Sequence, residues 1–73
     1  MVKNRLKLAR VREGDLTQEE LAGKIGCSRQ TIHSIESEKY LPSVELALKL
    51  ALVLKTKVDE LFYIEDKKNA KSG

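Results

Sequence analysis

The stretch TQEELAGKIGCSRQTIHSIESEK, residues 17–39, starts a helix, breaks it at a glycine and starts another almost at once. The hydroxyl of Thr17 is placed to accept from a free amide of the first turn, and Glu20, three residues on, completes a capping box. Leu21, Ala22 and Ile25 recur at helical spacing and give this helix an apolar stripe. Gly26 stops it, at a positive φ where glycine alone escapes a Cβ penalty. Ser28 caps a second helix whose stripe is Ile32 and Ile35, with Cys27 tucked into the turn. Two helices at about 17–25 and 28–37, joined by so short a turn, form a helix-turn-helix arrangement. The outer side of the second helix is then left with Arg29, Gln30, His33 and Ser34.

Upstream, the pattern favours helix from Asn4 to about Glu13, with VKN at the start able to run extended, and Gly14 with Asp15 breaks it. Downstream, Lys39, Tyr40, Leu41 and Pro42 form a loop, and a fourth helix is predicted from about Ser43 to Lys55. Val44, Ala47, Leu48 and Ala51 make one stripe of it; Leu46, Leu50, Val53 and Leu54 make another. A helix apolar on nearly all sides is buried on more than one face, and in so small a chain one face is expected to meet another subunit. Residues 56–59 can start a short helical turn, and 61–65 read as a strand. A lone strand is unstable, and within the chain its one available mate is Val2 to Asn4. The expected fold is therefore all-α: a four- to five-helix bundle, to which the two ends add a short two-stranded antiparallel ribbon. The domain spans residues 1–66, with a polar tail at 67–73. Leu50, Val53, Leu54, Leu61, Phe62 and Ile64 are the expected dimer-interface residues.

Size supports the second subunit. With 73 residues there is room for one small domain. Such a chain buries only about 60% of the surface its unfolded form exposes, so it gains from a staple. The single cysteine, Cys27, has no internal disulfide partner, and with the single His33 it falls short of a structural zinc site. That leaves oligomerisation, and a homodimer is expected. Lys and Arg outnumber Asp and Glu by 14 to 11, and residues 1–12 hold Lys3, Arg5, Lys7, Arg10 and Arg12 with no acid. A basic end suits an anionic partner such as a nucleic acid, or simply keeps a protein soluble. The longest apolar run, residues 46–54, is interrupted by Lys49 and too short for a bilayer, so no membrane partner and a cytoplasmic location are expected. Neither a phosphate-cradling glycine loop nor a catalytic dyad is present, and Cys27 reads as a small buried hydrophobe. No enzyme, cofactor, metal or small-molecule ligand is expected.

The pieces LTQEELAGKIGCSRQTIHSIE, ESEKYLPS and VELALKLALVL together resemble the phage-repressor-type helix-turn-helix family, also called XRE or Cro/repressor. The resemblance runs from about Asn4 to Phe62 and rests on Gln18, Ala22, Gly26, Ile32, Ile35, Glu36 and Pro42. It is strongest to the small stand-alone dimeric regulators that pair an N-terminal strand with a C-terminal one. The GDL segment before Thr17 is one residue longer than in many members, which leaves the end of the first helix open.

That resemblance implies a recognition helix in the major groove, preceded by a helix crossing above the backbone. Arg29 and Gln30, at the end that enters deepest, would read bases: Arg suits guanine O6 and N7, Gln suits adenine N6 and N7. Ser34 maps to a base-reading position, and His33 reaches a base or a phosphate, or is a plain surface residue. Gln18, Ser28, Thr31, Lys39 and Tyr40 are phosphate candidates, with Tyr40 equally suited to covering the loop. The family pairs an Arg of the first helix with a Glu ending the recognition helix, here Arg10 with Glu36. The implied partner is double-stranded DNA carrying a palindromic operator, and occupancy of a promoter makes repression the expected outcome. The competing reading is the antitoxin of a toxin–antitoxin pair, disfavoured by the eight residues after Glu65.

Overall fold

The computed structural model describes residues 1–65, so the predicted polar tail at 67–73 lies outside the described residues. Five helices and one ribbon follow in the order β1 (Val2–Asn4), α1 (Leu6–Arg12), α2 (Gln18–Ile25), α3 (Arg29–Glu36), α4 (Val44–Val53), α5 (Val58–Leu61) and β2 (Phe62–Ile64). The strands pair antiparallel, with Val2 opposite Ile64 and Asn4 opposite Phe62. Both ends of the described chain thus close onto one ribbon.

Local chemistry sets most boundaries. Thr17 Oγ1 accepts from Glu20 N at 3.0 Å while Glu20 Oε1 accepts from Thr17 N at 2.8 Å, closing the capping box. Gly26 ends α2 at φ 90°, letting its amide and that of Cys27 return to Ala22 O at 2.8 and 3.0 Å. Ser28 and Ser43 cap α3 and α4, each hydroxyl accepting at 3.1 Å from the amide three residues on.

Helix α1 is shorter than its pattern allows. It begins at Leu6, because Asn4 and Arg5 belong to the strand and its exit, and ends at Arg12. The long GDL segment is absorbed by two successive left-handed residues, Gly14 at φ 98° and Asp15 at φ 55°. Leu16 N can then reach back to Arg10 O at 3.0 Å.

The core is Leu6, Leu21, Ala22, Ile32, Ile35, Leu50, Ala51, Leu54 and Leu61, ringed by half-buried apolar groups. Its composition corrects the expected dimer interface. Leu50, Leu54 and Leu61 are buried inside their own chain and have no surface to give a second one. Val53 and Phe62 are half-buried against the same core, and of the six expected residues Ile64 alone is exposed. The buried face of α4 takes neither predicted stripe whole: Ala47, Leu50, Ala51 and Leu54 point inward from both. What remains outside is Val44, Leu48 and Leu52, at 77%, 55% and 80% exposure. They stand one turn apart on one side of the helix.

Candidate nucleic-acid interface

Helix α3 is clamped from beneath by Ile32 and Ile35, both essentially inaccessible. Three and four residues make one turn, so this grip turns Arg29, Gln30 and His33 outward, all exposed, with Ser34 half-exposed beside them. Gln30 Nε2 lies 3.5 Å from Ser34 Oγ along the same side. Gln30, Thr31, Ser34 and Tyr40 line a shallow open hollow of about 250 Å³. The outward residues of α3 and the following loop therefore share one continuous surface. Lys39 is exposed on that loop, and Tyr40 is exposed as well rather than packed over it. The loop backbone is tied to α3, because Ser34 O accepts from Lys39 N at 2.9 Å and from Tyr40 N at 3.2 Å.

Beneath this surface one cation joins three segments. Arg10 Nε donates to Glu36 Oε2 at 2.7 Å and Nη2 to Oε1 at 3.1 Å, a two-pronged pair, while Nη1 donates to Leu16 O at 2.6 Å. The side chains are only 11% and 8% exposed, and the hydrogen bond to Glu36 raises the Arg10 pKa further above its ordinary value. Helix α1, the α1–α2 turn and the last turn of α3 are thereby held in register.

Gln18 belongs to the same network. Its Nε2 donates to Glu36 Oε1 at 3.0 Å and lies 3.5 Å from His33 Nδ1. The amide donor is thus turned inward, toward a carboxylate. The hydroxyl of Ser28, which caps α3, is also bonded to that of Thr31 at 2.9 Å. Of the phosphate candidates, Lys39 and Tyr40 stand free on the surface.

Asn4 escaped the sequence reading. Its Oδ1 accepts from Leu6 N at 3.1 Å and its Nδ2 donates to Ile35 O at 2.9 Å, so one amide starts α1 and steadies the end of α3. An Asn just before an apolar periodic segment is a helix-start signal, but its second partner is a backbone oxygen 31 residues away. Lys3 adds an ion pair from β1 to Glu38 at 3.3 Å. Cys27 is half-buried, and burial pushes its thiol pKa up, away from the reactive thiolate. Among the described residues no cluster of His, Cys, Asp and Glu is positioned to hold a metal ion. No helix there is long and apolar enough to cross a membrane.

A short turn between α2 and α3, an Arg10–Glu36 link and an outward polar edge on α3 are the geometry that the family profile described as Helix-turn-helix covers, and that profile matches residues 6–61. The chain belongs to the XRE-type helix-turn-helix family. This XRE-type chain is 49% identical over 65 residues to an uncharacterized HTH-type transcriptional regulator of Methanocaldococcus jannaschii, covering 89% of this chain and 97% of that one. An uncharacterized HTH-type transcriptional regulator of Bacillus subtilis is 38% identical over 65 residues, with the same coverage of 89% and 97%. Among solved structures, a Bacteroides fragilis protein named for DNA binding superposes with a TM-score of 0.77 at 30% identity, over 86% of this chain and all of that one.

Proposed function

We propose that this chain is a DNA-binding transcriptional regulator that reads an inverted repeat as a homodimer and represses by occupying a promoter. The observation that carries the reading is α3: its apolar side is locked into the core while Arg29 and Gln30 stand exposed on its first turn. A helix so held presents its leading residues to the major groove, where an Arg pairs with guanine and a Gln with adenine. His33 and Ser34 extend the reading edge by a turn, and Lys39 supplies a cation to the phosphates.

The homodimer is supported by the exposed Val44, Leu48 and Leu52 stripe of α4. The stripe is symmetric about Leu48, so two copies running antiparallel can meet it with itself, as a two-fold interface requires. Glu45 and Lys49 beside it neutralise each other at 3.3 Å, so identical copies approach without repulsion. In such a dimer two α3 helices about one DNA turn apart, roughly 34 Å, would read the two half-sites.

The test is a binding titration on an inverted-repeat duplex selected from a random pool, repeated at several salt concentrations. Arg29→Ala should cost about 1–3 kcal/mol on the selected site and relax the choice of base there. Lys39→Ala should weaken all duplexes alike and lower the salt slope by about one. Binding that ignores both substitutions overturns the proposal.

A further inference from the structure

Helix α1 carries a second exposed apolar surface, rimmed by cations where that of α4 is neutral. Leu8 and Val11, three residues apart on one side of the helix, are 53% and 46% exposed. Leu8 is the ridge between two adjoining hollows. One, about 490 Å³, is bounded by Asn4, Lys7, Val11 and Glu36; the other, about 250 Å³, by Ala9, Arg12, Thr56 and Glu60.

The rim is cationic. Helix α1, LKLARVR, contains no acid, and Arg5, Lys7 and Arg12 are exposed. Among the described residues neither Lys7 nor Arg12 enters an ion pair. Of the two carboxylates at the edge, Glu36 is paired with Arg10 at 2.7 Å, while Glu60, reached by the Thr56 hydroxyl at 2.8 Å, stays charged and partly offsets Arg12, leaving Lys7 as the unopposed cation of the rim. Arg5 is fixed over the Tyr63 ring at 4.1 Å and donates to Glu60 O, which braces the rim against the ribbon.

These features narrow the occupant. A second copy of this face would bring like charges together, in contrast to the neutral stripe of α4. A nucleic-acid backbone would satisfy Lys7 and Arg12 but would leave Leu8 and Val11 against a charged, hydrated surface. Burial of both side chains together with neutralisation of the cations requires carbon and carboxylate in one ligand. The geometry points to α1 as a docking face for an amphipathic acidic segment of a different protein, its apolar residues straddling Leu8 and its carboxylates facing Lys7 and Arg12. This surface is a means of recruiting or displacing the regulator separate from its reading edge, and it stands whether or not α3 reads DNA.

The probe is a synthetic helical peptide with Leu at i, i+3, i+4 and i+7 and Glu elsewhere, titrated into ¹⁵N-labelled protein and set against a scrambled peptide of identical composition. The amides of Lys7, Leu8, Val11 and Arg12 should shift saturably with the patterned peptide only. Leu8→Asp should weaken binding about tenfold or more, since it removes an apolar contact and repels the carboxylates. Lys7→Gln with Arg12→Gln should weaken it and flatten its salt dependence. Both variants alter exposed side chains, and an unchanged spectrum away from α1 verifies their folding. Shifts that do not saturate, equal binding of the scrambled peptide, or shifts centred on α4 overturn the proposal. Displacement of the peptide by duplexes of any sequence, moving the same amides, would assign the face to the DNA backbone instead and also overturn it.

Discussion

Helices α3 and α4 are built alike and turn opposite faces to the outside. Each is capped by a serine, and each drives apolar side chains into the same core, Ile32 and Ile35 from one, Leu50 and Ala51 from the other. Outside, α3 shows Arg29, Gln30 and His33, whereas α4 shows Val44, Leu48 and Leu52. The inner faces explain why the protein folds, and under the proposed function the outer faces differ because they would meet different partners. Polar hydrogen-bonding groups on a rigid rod suit a groove lined with donors and acceptors, while uninterrupted hydrocarbon suits a surface of its own kind.

The sharpest way to break this contrast is to charge the apolar side. Leu48→Asp should convert the dimer to a monomer by sedimentation and lower affinity for an inverted repeat about 10²–10⁴-fold through lost avidity. Affinity for a single half-site should stay unchanged. A dimer that survives the substitution would remove α4 from the interface.

The next effect separates holding α3 from reading with it. Glu36→Ala strands the nearly buried Arg10 guanidinium and frees Gln18, and should cost about 3–5 kcal/mol in urea unfolding. At about 4–8 °C per kcal/mol for a domain of this size, the melting temperature should fall well outside experimental error. A variant that melts like the parent would show that the link is dispensable.

The smallest effect tests whether the two helices are equivalent from the inside. Ser28→Ala and Ser43→Ala each remove one cap hydrogen bond of 3.1 Å, so each should cost about 1 kcal/mol by chemical denaturation. Ser28→Ala should in addition release Thr31 and alter DNA affinity beyond its effect on stability. Equal DNA binding by the two variants would place Thr31 away from the interface.

The legible parts of this fold were those in which cause and consequence lie within a few residues. Thr17 with Glu20, Gly26 and Ser28 act on amides no more than four positions away, and the structure uses each of them as its residue type dictates. The packing direction of α4 was not legible, because a helix apolar all round has no periodicity to choose a face. Tertiary packing made the choice, and it took Ala47, Leu50 and Ala51 inside. The Arg10–Glu36 link came through family resemblance rather than local pattern, since 26 residues separate the partners. Asn4 to Ile35 O and Gln18 to Glu36 had no such guide. A main-chain oxygen has no residue identity, and Gln18 at a helix start reads equally well as a group facing solvent.

The carbonyl of Ser34 has a consequence for how a site would be searched. By receiving the amides of both Lys39 and Tyr40, it makes the loop backbone an extension of the rod that carries Arg29 and Gln30. In the proposed reading, the cation that would grip any sequence and the side chains that would discriminate among sequences travel as one body. A sideways step along the duplex moves the grip and the comparison together, so each new position is sampled with the whole tool already aligned.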